Sequence, residues 1–516
     1  MTLGLTAPPQ ESPVLSGTAR KPGASPDDRM ATAWNRFLTS VYGALTTLQN
    51  GNGNIVYLQN PVNGVTGGGT QDDTAAIQSA INSLGAGGGV IVMGQGSFLI
   101  SSITIPCPLL LIGAGANGAG TQIIAKDATS NVFNITNDSI YIRDMLFNSS
   151  VARTAGAFIY LNTASSIITV ENCYFHNWYW GVYVNNGGTV YLRNLVLRDG
   201  VPNGGQAVRI DGGSDLYLDA LFVDNAPGSD PDSGVCITNC GDVTLIGCQL
   251  QHCNFPLSIV PGAGQVATSI YAVRSFFDNA GNIGVRMVPL ANTGTIQRVQ
   301  LLGCWASSAA NNGIQIDNSA HGGGINGVEI IGIEAYANGG SGLTVNVSGT
   351  GSGQIDVLGG KFAQNGNDGI QSFACPSLKV VGARCGPVGA FTGNAGYGFQ
   401  NTGAAANMMV LDCDLTGNTG GAFADSGSGT GKIVANNNGW NNSAARTSAI
   451  TVTASPFTYT AGSSQETVYI FGGTVSNVQV DGASTFATTN VSVSLGPGKS
   501  VIVTYTVAPN MDTTKL

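Results

Sequence analysis

The chain has 516 residues, of which only 9% are charged, against roughly a quarter in typical soluble proteins. The net charge of −9, without a basic stripe, excludes duplex nucleic acid as a partner. No apolar run reaches the roughly 18 to 20 residues of a membrane span, so membrane insertion is also excluded. The 75 glycines are about twice the usual share and indicate a structure with frequent turns.

The first 69 residues form three predicted segments. Residues 1–24 are rich in Pro, Gly and Ser without periodicity, which predicts an extended arm. Residues 25–50 predict a helix, either a trimeric coiled coil or a helix packed on another domain, and residues 51–69 a linker. We expect no secretory signal, because no apolar core follows a basic residue at the N-terminus. The apolar seam of the helix is Met30, Trp34, Val41, Leu45 and Leu48.

A second helix is predicted directly after Gln71. Asp72, Asp73 and Thr74 can cap a helix whose apolar face includes Ile77 and Ile81. GAGGG ends this helix, and an apolar strand follows it. We expect the helix to close the end of the structure that follows and to shield its first unpaired strand.

Between Ile140 and Leu415 the chain repeats one pattern, apolar-x-apolar-x-x-apolar-x-apolar, eleven times. A period of 22 to 30 residues indicates a solenoid, in which each unit contributes two short strands and a bend. Because the strands stack in register, the pattern predicts a parallel β-helix. Cysteines at the inward positions are expected to be buried, free thiols. The units start at Ile140, Ile168, Val190, Leu216, Val243, Ile270, Val299, Val328, Ile355, Leu378 and Met408.

The segment QDDTAAIQSAINSLGAGGGVIVMGQGSFLISSITIP, followed by these coils, resembles the pectate-lyase-like β-helix superfamily, and especially its phage tailspike branch. The resemblance covers roughly residues 70–446. It implies an all-β, right-handed parallel β-helix with a short N-terminal helix, in a homotrimer. It further implies that residues 1–50 attach to other phage tail proteins, that the protein is part of the virion tail, and that it assembles in the host cytoplasm. Residues 447–516 predict short strands and resemble the small C-terminal β-domains of phage tail proteins.

Exposed aromatic residues are the candidate glycan-binding residues. The coil alignment turns many aromatic side chains outward, where they offer stacking platforms for sugar rings. The alternative is that these rings fill the contact between subunits of a trimer. The candidates are Tyr191, Tyr217, Tyr271, Phe222, Trp178, Trp180 and Trp305.

Three carboxylates are the candidate catalytic residues. Asp224 and Asp278 occupy equivalent outward positions two coils apart, about 9.6 Å, near the separation of inverting glycosidases. Asp219, at the preceding corner, is the third candidate. The alternative is that these aspartates cap turns. A retaining pair of Glu329 and Asp356 is a further possibility, and no motif indicates a metal or a cofactor.

These observations predict a phage tailspike or tail fibre that binds, and in one interpretation depolymerises, a bacterial surface polysaccharide. The first alternative is a structural or adhesive tail fibre without an active site. The second is a polysaccharide lyase or hydrolase that is not part of a virion. The acidic residues fit the catalytic and the non-catalytic interpretation equally well.

Overall fold

The computed structural model describes residues 54–59, 64–349, 353–429, 431–440, 447–462, 465–485 and 488–515. The arm and the helix expected within residues 1–50 lie outside this part of the chain. The chain divides into two units, Met1–Asn54 and Ile55–Leu516, and the second contains nearly all of the described residues. Among the described residues, no helix has the length and apolarity to cross a membrane.

The coils form a right-handed parallel β-helix with three strands in most turns, which we call the short-strand sheet, ladder 1 and ladder 2. Along each coil a ladder 2 strand leads over a corner into the short-strand sheet, and a loop then leads to ladder 1. The short-strand sheet has 13 strands. They are Gly68–Asp72, Gly96–Ile100, Thr121–Ala125, Leu146–Ser149, Tyr174–His176, Val196–Arg198, Phe222–Asp224, Gln249–Gln251, Phe276–Asp278, Trp305–Ser307, Glu334–Tyr336, Lys361–Ala363 and Arg384–Cys385.

The two ladders form one 25-stranded sheet, because three strands run through both of them: Ala157–Glu171, Trp180–Arg193 and Ile370–Val381. The other ladder 1 strands are Ile103–Ile105, Phe133–Ile135, Gln206–Ile210, Ser233–Ile237, Phe255–Ile259, Val285–Met287, Ile314–Asp317, Leu343–Asn346, Tyr397–Asn401 and Gly421–Asp425. The other ladder 2 strands are Asn54–Tyr57, Gly89–Val92, Leu109–Ile112, Ile140–Arg143, Leu216–Asp219, Val243–Ile246, Val266–Val273, Thr295–Leu302, Gly324–Ile331, Gln354–Leu358, Ala405–Leu411 and Ile433–Ala435.

The strand register confirms the predicted fold class and the coil alignment. Each predicted start pairs with the next along ladder 2, as in Leu216 with Val243 and Val243 with Ile270. The expectation of two strands per unit was wrong, because ladder 1 adds a third strand in most coils. The sequence did not show this strand, because the loop before it varies in length and strands such as Ser233–Ile237 are buried on both faces.

A left-handed residue forms the corner between ladder 2 and the short-strand sheet. This position has a positive φ in eleven successive coils, for example 52° at Asn172 and 50° at Asn194. Glycine and asparagine are common there because they tolerate this conformation. A second left-handed position follows the short strand, and it is occupied by Asn177, Asp199, His252 and Asn279. These two corners fix the direction in which the residues beside them point.

The helix Thr74–Ser83 lies at the start of the coils and buries Ile77, Ala80 and Ile81. The Asp72 carboxylate accepts the backbone N–H of Thr74 at 3.0 Å, as expected for a capping residue. The expectation for Asp73 was wrong, since its side chain makes no cap hydrogen bond. Its carboxylate instead accepts the backbone N–H of Thr66 at 2.9 Å and thereby fixes the preceding loop.

The last part of the chain forms two antiparallel four-stranded sheets around a separate apolar cluster. The first sheet contains, in spatial order, Thr447–Ile450, Asn510–Lys515, Glu466–Phe471 and Val491–Leu495. The second contains Phe457–Thr460, Ser500–Val507, Thr474–Val480 and Ala483–Ser484.

The described part of the β-helix interior is a continuous apolar core, and a column of asparagines runs through its C-terminal coils. All ten cysteines are free and buried, and Cys248 and Cys304 donate to carbonyl oxygens of neighbouring strands. The column of asparagines is a ladder of side-chain amides. Each amide nitrogen donates to the amide oxygen one coil further on, at 2.8 to 2.9 Å. The members of this asparagine ladder are Asn338, Asn365, Asn394 and Asn418.

Candidate functional site

The outward face of the short-strand sheet combines aromatic and titratable side chains. Two of its columns point outward, because alternate residues of a strand face opposite sides. The first column is Tyr174, Val196, Phe222, Gln249, Phe276, Trp305 and Glu334. The second column is His176, Arg198, Asp224, Gln251, Asp278, Ser307 and Tyr336.

Aromatic rings continue along this face over several coils. Phe276 is 47% exposed, and its ring centroid lies 6.4 Å from that of Trp305. Trp305 packs edge-on against Tyr336 at 5.1 Å, and Tyr336 stacks on Phe391 at 4.4 Å. Partly exposed rings beside polar groups are suited to holding the apolar faces of sugars while their hydroxyls form hydrogen bonds.

Asp224 lies between two basic side chains. Its Oδ1 is 2.9 Å from Nδ1 of His252, and its Oδ2 is 3.9 Å from the guanidinium of Arg198. The left-handed backbone of His252 is what turns the ring back towards the preceding coil. The Arg198 guanidinium also lies 5.5 Å from the centre of the Phe222 ring. These contacts hold the Asp224 carboxylate in a fixed position beside two donors.

Asp230 is the second carboxylate near His252. It lies in the loop that leads from the short-strand sheet to ladder 1. Burial raises the pKa of the Asp230 carboxyl above its usual value, and the nearby His252 opposes that shift. Its Oδ1 is buried and has no hydrogen-bond partner among the described residues. Its Oδ2 packs closely against Gly281, because a Cβ added to that glycine would lie only 2.6 Å from this oxygen. Asp224, His252 and Asp230 together form what we call the Asp–His cluster.

The sequence analysis missed the histidines of this face. It named neither histidine as a candidate site residue. In the structure Nδ1 of His176 lies 2.6 Å from Oδ2 of Asp199, and Nδ1 of His252 lies 2.9 Å from Oδ1 of Asp224. The partners are 23 and 28 residues apart, so only the coil register brings them together. The coil alignment could have revealed both pairs, because it places each histidine one coil from an aspartate at a nearby position.

The structure separates the three predicted catalytic aspartates. Asp224 and Asp278 share one column, with Gln251 between them. Asp278 is already engaged, because its Oδ1 accepts the Ser307 hydroxyl at 2.5 Å and the Asn279 N–H at 2.9 Å. Asp219 lies at the end of a ladder 2 strand, before the corner, and is exposed. The alternative residues Glu329 and Asp356 pair in register on ladder 2.

The predicted glycan-binding residues lie on three faces. Phe222 and Trp305 are on the short-strand sheet, whereas Trp180 is on ladder 1. Tyr191, Tyr217 and Tyr271 are on ladder 2, where the first two stack at 5.1 Å.

Two of these residues are not available at the surface of the chain. The prediction for Trp178 was wrong, because its side chain is 0% exposed and packs against Gly200. Tyr191 is 2% exposed, since it is covered by the Tyr217 ring and by the Arg193 guanidinium 4.5 Å away.

A depression of about 400 Å³ adjoins the His176–Asp199 pair. It is lined by residues 149–153, 177 and 199–202. Arg153 is 1% exposed and donates to three backbone carbonyls, so it stabilises the floor of the depression and is not accessible to a ligand. Within the described part of the chain, no group of three or more His, Cys, Asp or Glu side chains could hold a metal ion.

Comparisons with known proteins concern the fold. Residues 156–322 match the family described as the right-handed beta helix region. None of the curated proteins matches the chain. The first structural match is the A-module of the mannuronan C-5 epimerase AlgE4 of Azotobacter vinelandii, which is 15% identical. It covers 74% of this chain and 100% of the module with a TM-score of 0.44, which is too low to support an argument.

Two tailspikes are more similar in structure. Tailspike protein 3 of bacteriophage CBA120 is 15% identical, with a TM-score of 0.54 over 75% of this chain, and the match spans 62% of that tailspike's length. The tailspike of the E. coli bacteriophage HK620, solved in complex with a pentasaccharide, is 12% identical. Its TM-score is 0.52 over 87% of this chain and 90% of that one. The chain therefore has the right-handed parallel β-helix fold that these phage tailspikes share.

Proposed function

We propose that the protein is a phage tail protein that binds a bacterial surface polysaccharide along the outward face of the short-strand sheet. The observation that carries this proposal is the row of aromatic rings beside Arg198, Asp224 and Asp278. Such a face can hold several sugar residues of a chain at once. The fold shared with two tailspikes supports the same function.

Binding is tested with purified full-length chain and surface polysaccharides of candidate hosts. Trp305→Ala should weaken binding at least about fivefold, because loss of a stacking ring removes about 1 kcal/mol or more. Tyr469→Ala is the matched control, since Tyr469 is an exposed aromatic residue of the C-terminal sheets, 43% exposed. Equal binding by the wild type and by Trp305→Ala would contradict the assignment of this face.

Cleavage of the polysaccharide is the second candidate function, and the Asp–His cluster favours it. Glycoside hydrolysis needs a protonated carboxyl to donate to the leaving oxygen and an ionised carboxylate to act on the anomeric side. Asp230 suits the first role, because burial raises its pKa. Asp224 suits the second, because it lies beside His252 and Arg198. This assignment replaces Asp278 by Asp230 in the proposed pair.

Release of oligosaccharides from the bound polysaccharide tests cleavage. Asp224→Asn and Asp230→Asn should each lower the rate by about two orders of magnitude while binding persists. Asp138→Asn is the control, because Asp138 is exposed on a turn outside the cluster. Lost activity in Asp219→Asn or Asp278→Asn, with Asp230→Asn fully active, would return the site to the residues predicted from the sequence. Absence of products from a bound polysaccharide would favour the non-catalytic tail fibre.

We further propose a homotrimer, assembled in the host cytoplasm and incorporated into the virion tail through residues 1–50. An unburied apolar column on ladder 2 supports the trimer. It runs over seven coils, about 29 Å at the coil spacing. In an assembly of parallel chains each chain carries the same column with the same spacing, so the columns can pack against one another and be buried. Its members are Ile246, Val273, Leu302, Ile331, Leu358, Val381 and Leu411.

Sedimentation tests the trimer. The intact protein should sediment as about 157 kDa, three times the chain mass of 52.5 kDa. Leu302→Asp should favour monomers, because it places a charge in the middle of the apolar column. Deletion of residues 1–50 should leave a folded β-rich protein that no longer enters phage particles. A stable wild-type monomer at micromolar concentration would contradict the trimer, and normal incorporation of the truncated chain would contradict the attachment role.

A further inference from the structure

A second group of aromatic and charged residues lies around the corner from the Asp–His cluster, on the outward face of ladder 1. One column there contains Trp180, Gln206, Ser233 and Phe255, and the next contains Tyr183, Arg209, Cys236, Ser258 and Arg286. Ser233, Cys236 and Ser258 in the middle of these columns are buried, so the partly exposed members lie on either side of them. Asp232, whose carboxylate accepts from Gln206 of this group, is two residues from Asp230 of the Asp–His cluster. Their Cα atoms are therefore at most roughly 7 Å apart, so the two groups adjoin.

The two arginines of this group differ in their partners. Arg209 pairs with Asp211 at 2.7 Å and lies 5.0 Å from the Trp180 ring, so its charge is already compensated. Arg286 makes no side-chain hydrogen bond or ion pair within the described part of the chain. Its guanidinium lies 4.6 Å from the centre of the Phe255 ring, which holds it in place. Arg286 is thus an oriented cation without a counter-charge in contact.

Neighbouring groups complete a site for a polar ligand. Burial lowers the pKa of Arg286 from its usual value, with Asp232 opposing the shift, so a bound anion would stabilise its charge. Oδ2 of Asp232 already accepts from Gln206 at 3.1 Å and from the Ser233 hydroxyl at 2.9 Å. These two donors fix the Asp232 carboxylate beside the face that carries Arg286.

We propose that Arg286 binds the carboxylate of an acidic sugar, so that the polysaccharide recognised by this protein contains a uronic-acid-type residue. This inference rests on the proposed function and names its substrate class. A guanidinium matches a carboxylate through two parallel hydrogen bonds, a geometry that lysine cannot provide. Phe255 lies under the guanidinium and fixes its direction.

The test measures equilibrium binding of the full chain to a panel of purified bacterial surface polysaccharides. Each polysaccharide is used in its native form and after chemical reduction of its carboxyl groups to hydroxymethyl groups. The polysaccharide that binds the wild type should be acidic, and reduction should weaken its binding about 10- to 100-fold. Arg286→Met should lose a similar factor for the native polymer and should no longer distinguish it from the reduced one.

Two further variants separate loss of the site from loss of the fold. Arg286→Lys should keep the charge but recover only part of the affinity, because it lacks the bidentate geometry. Arg274→Met removes an exposed arginine at a corner of ladder 2 and should bind as the wild type does. Tight binding of a neutral polysaccharide, or unchanged discrimination in Arg286→Met, would overturn this inference alone. Binding of no polysaccharide by the wild type would overturn the proposed function and this inference with it.

Discussion

Replacing Asn365 by leucine should destabilise the C-terminal coils strongly. The Asn365 side chain is 1% exposed and takes part in four hydrogen bonds. Its Oδ1 accepts the backbone N–H of Asn338 at 3.3 Å and the Asn338 amide at 2.9 Å. Its Nδ2 donates to the Ala335 carbonyl at 3.2 Å and to Oδ1 of Asn394 at 2.8 Å. Leucine has a similar size but can form none of these bonds.

The expected loss is about 4 kcal/mol, because each hydrogen bond contributes about 1 kcal/mol net. The buried N–H of Asn338 would also be left without its acceptor, which adds to the cost. Since each coil contacts only its neighbours, the effect should concentrate in the adjoining coils. Hydrogen exchange followed by mass spectrometry measures this as lost protection in peptides from residues 330–420 relative to peptides from residues 140–240.

Asn367→Leu is the matched control, two positions away in the same turn. Asn367 is exposed, and its side chain makes one long hydrogen bond of 3.4 Å, to Gln371. This substitution should change the stability by less than about 0.5 kcal/mol. Equal protection in Asn365→Leu and Asn367→Leu would refute the reasoning that the asparagine ladder stabilises the stacking of the coils.

Three further predictions concern stability and the thiols. Burial raises the pKa of the Asp368 carboxyl in the folded chain. As the pH rises, this carboxyl therefore loses its proton at a lower pH in the unfolded chain than in the folded chain. The free energy of unfolding should therefore fall as the pH rises from about 4 through the raised folded-state pKa, and Asp368→Asn should abolish this component in pH-dependent denaturation. Gly403→Ala should lower the melting temperature, because the added Cβ would lie 1.1 Å from the Phe373 carbonyl oxygen, whereas Gly118→Ala meets no atom within 4 Å. Thiol titration should find ten reactive groups only after denaturation, because all ten thiols are buried and burial raises the pKa of Cys173, for example, to about 12. Fast reaction of several thiols in the folded protein would contradict their burial.

The alternation of apolar residues was sufficient to predict the β-helix and its register. Each inward residue must be apolar and each corner must tolerate a left-handed backbone, so both constraints recur in every coil. For this reason the starts from Ile140 to Met408 pair in register as expected. The placement of Asp224 and Asp278 in one outward column, two coils apart, followed from the same periodicity.

The loops made the candidate site less predictable than the coils. The loop that contains Asp230 and the position of Trp178 under Gly200 depend on how segments of unequal length fold over the strands. A periodic pattern does not describe such segments, because their residues have no fixed spacing. The third strand, present in most coils, and the distribution of the aromatic residues over three faces were missed for the same reason.

The sequence by itself therefore determined the inward-facing residues, the coil register and the columns of neighbouring side chains, because stacking imposes these at a constant spacing. Only the tertiary structure decided which outward residues contact each other. The His252–Asp224 contact and the unpaired Arg286 over Phe255 depend on side-chain directions set by left-handed turns and loop lengths. The hydrophobic pattern does not say which polar side chains on successive coils contact each other, because a polar residue that is paired and one that is unpaired cannot be distinguished in a sequence.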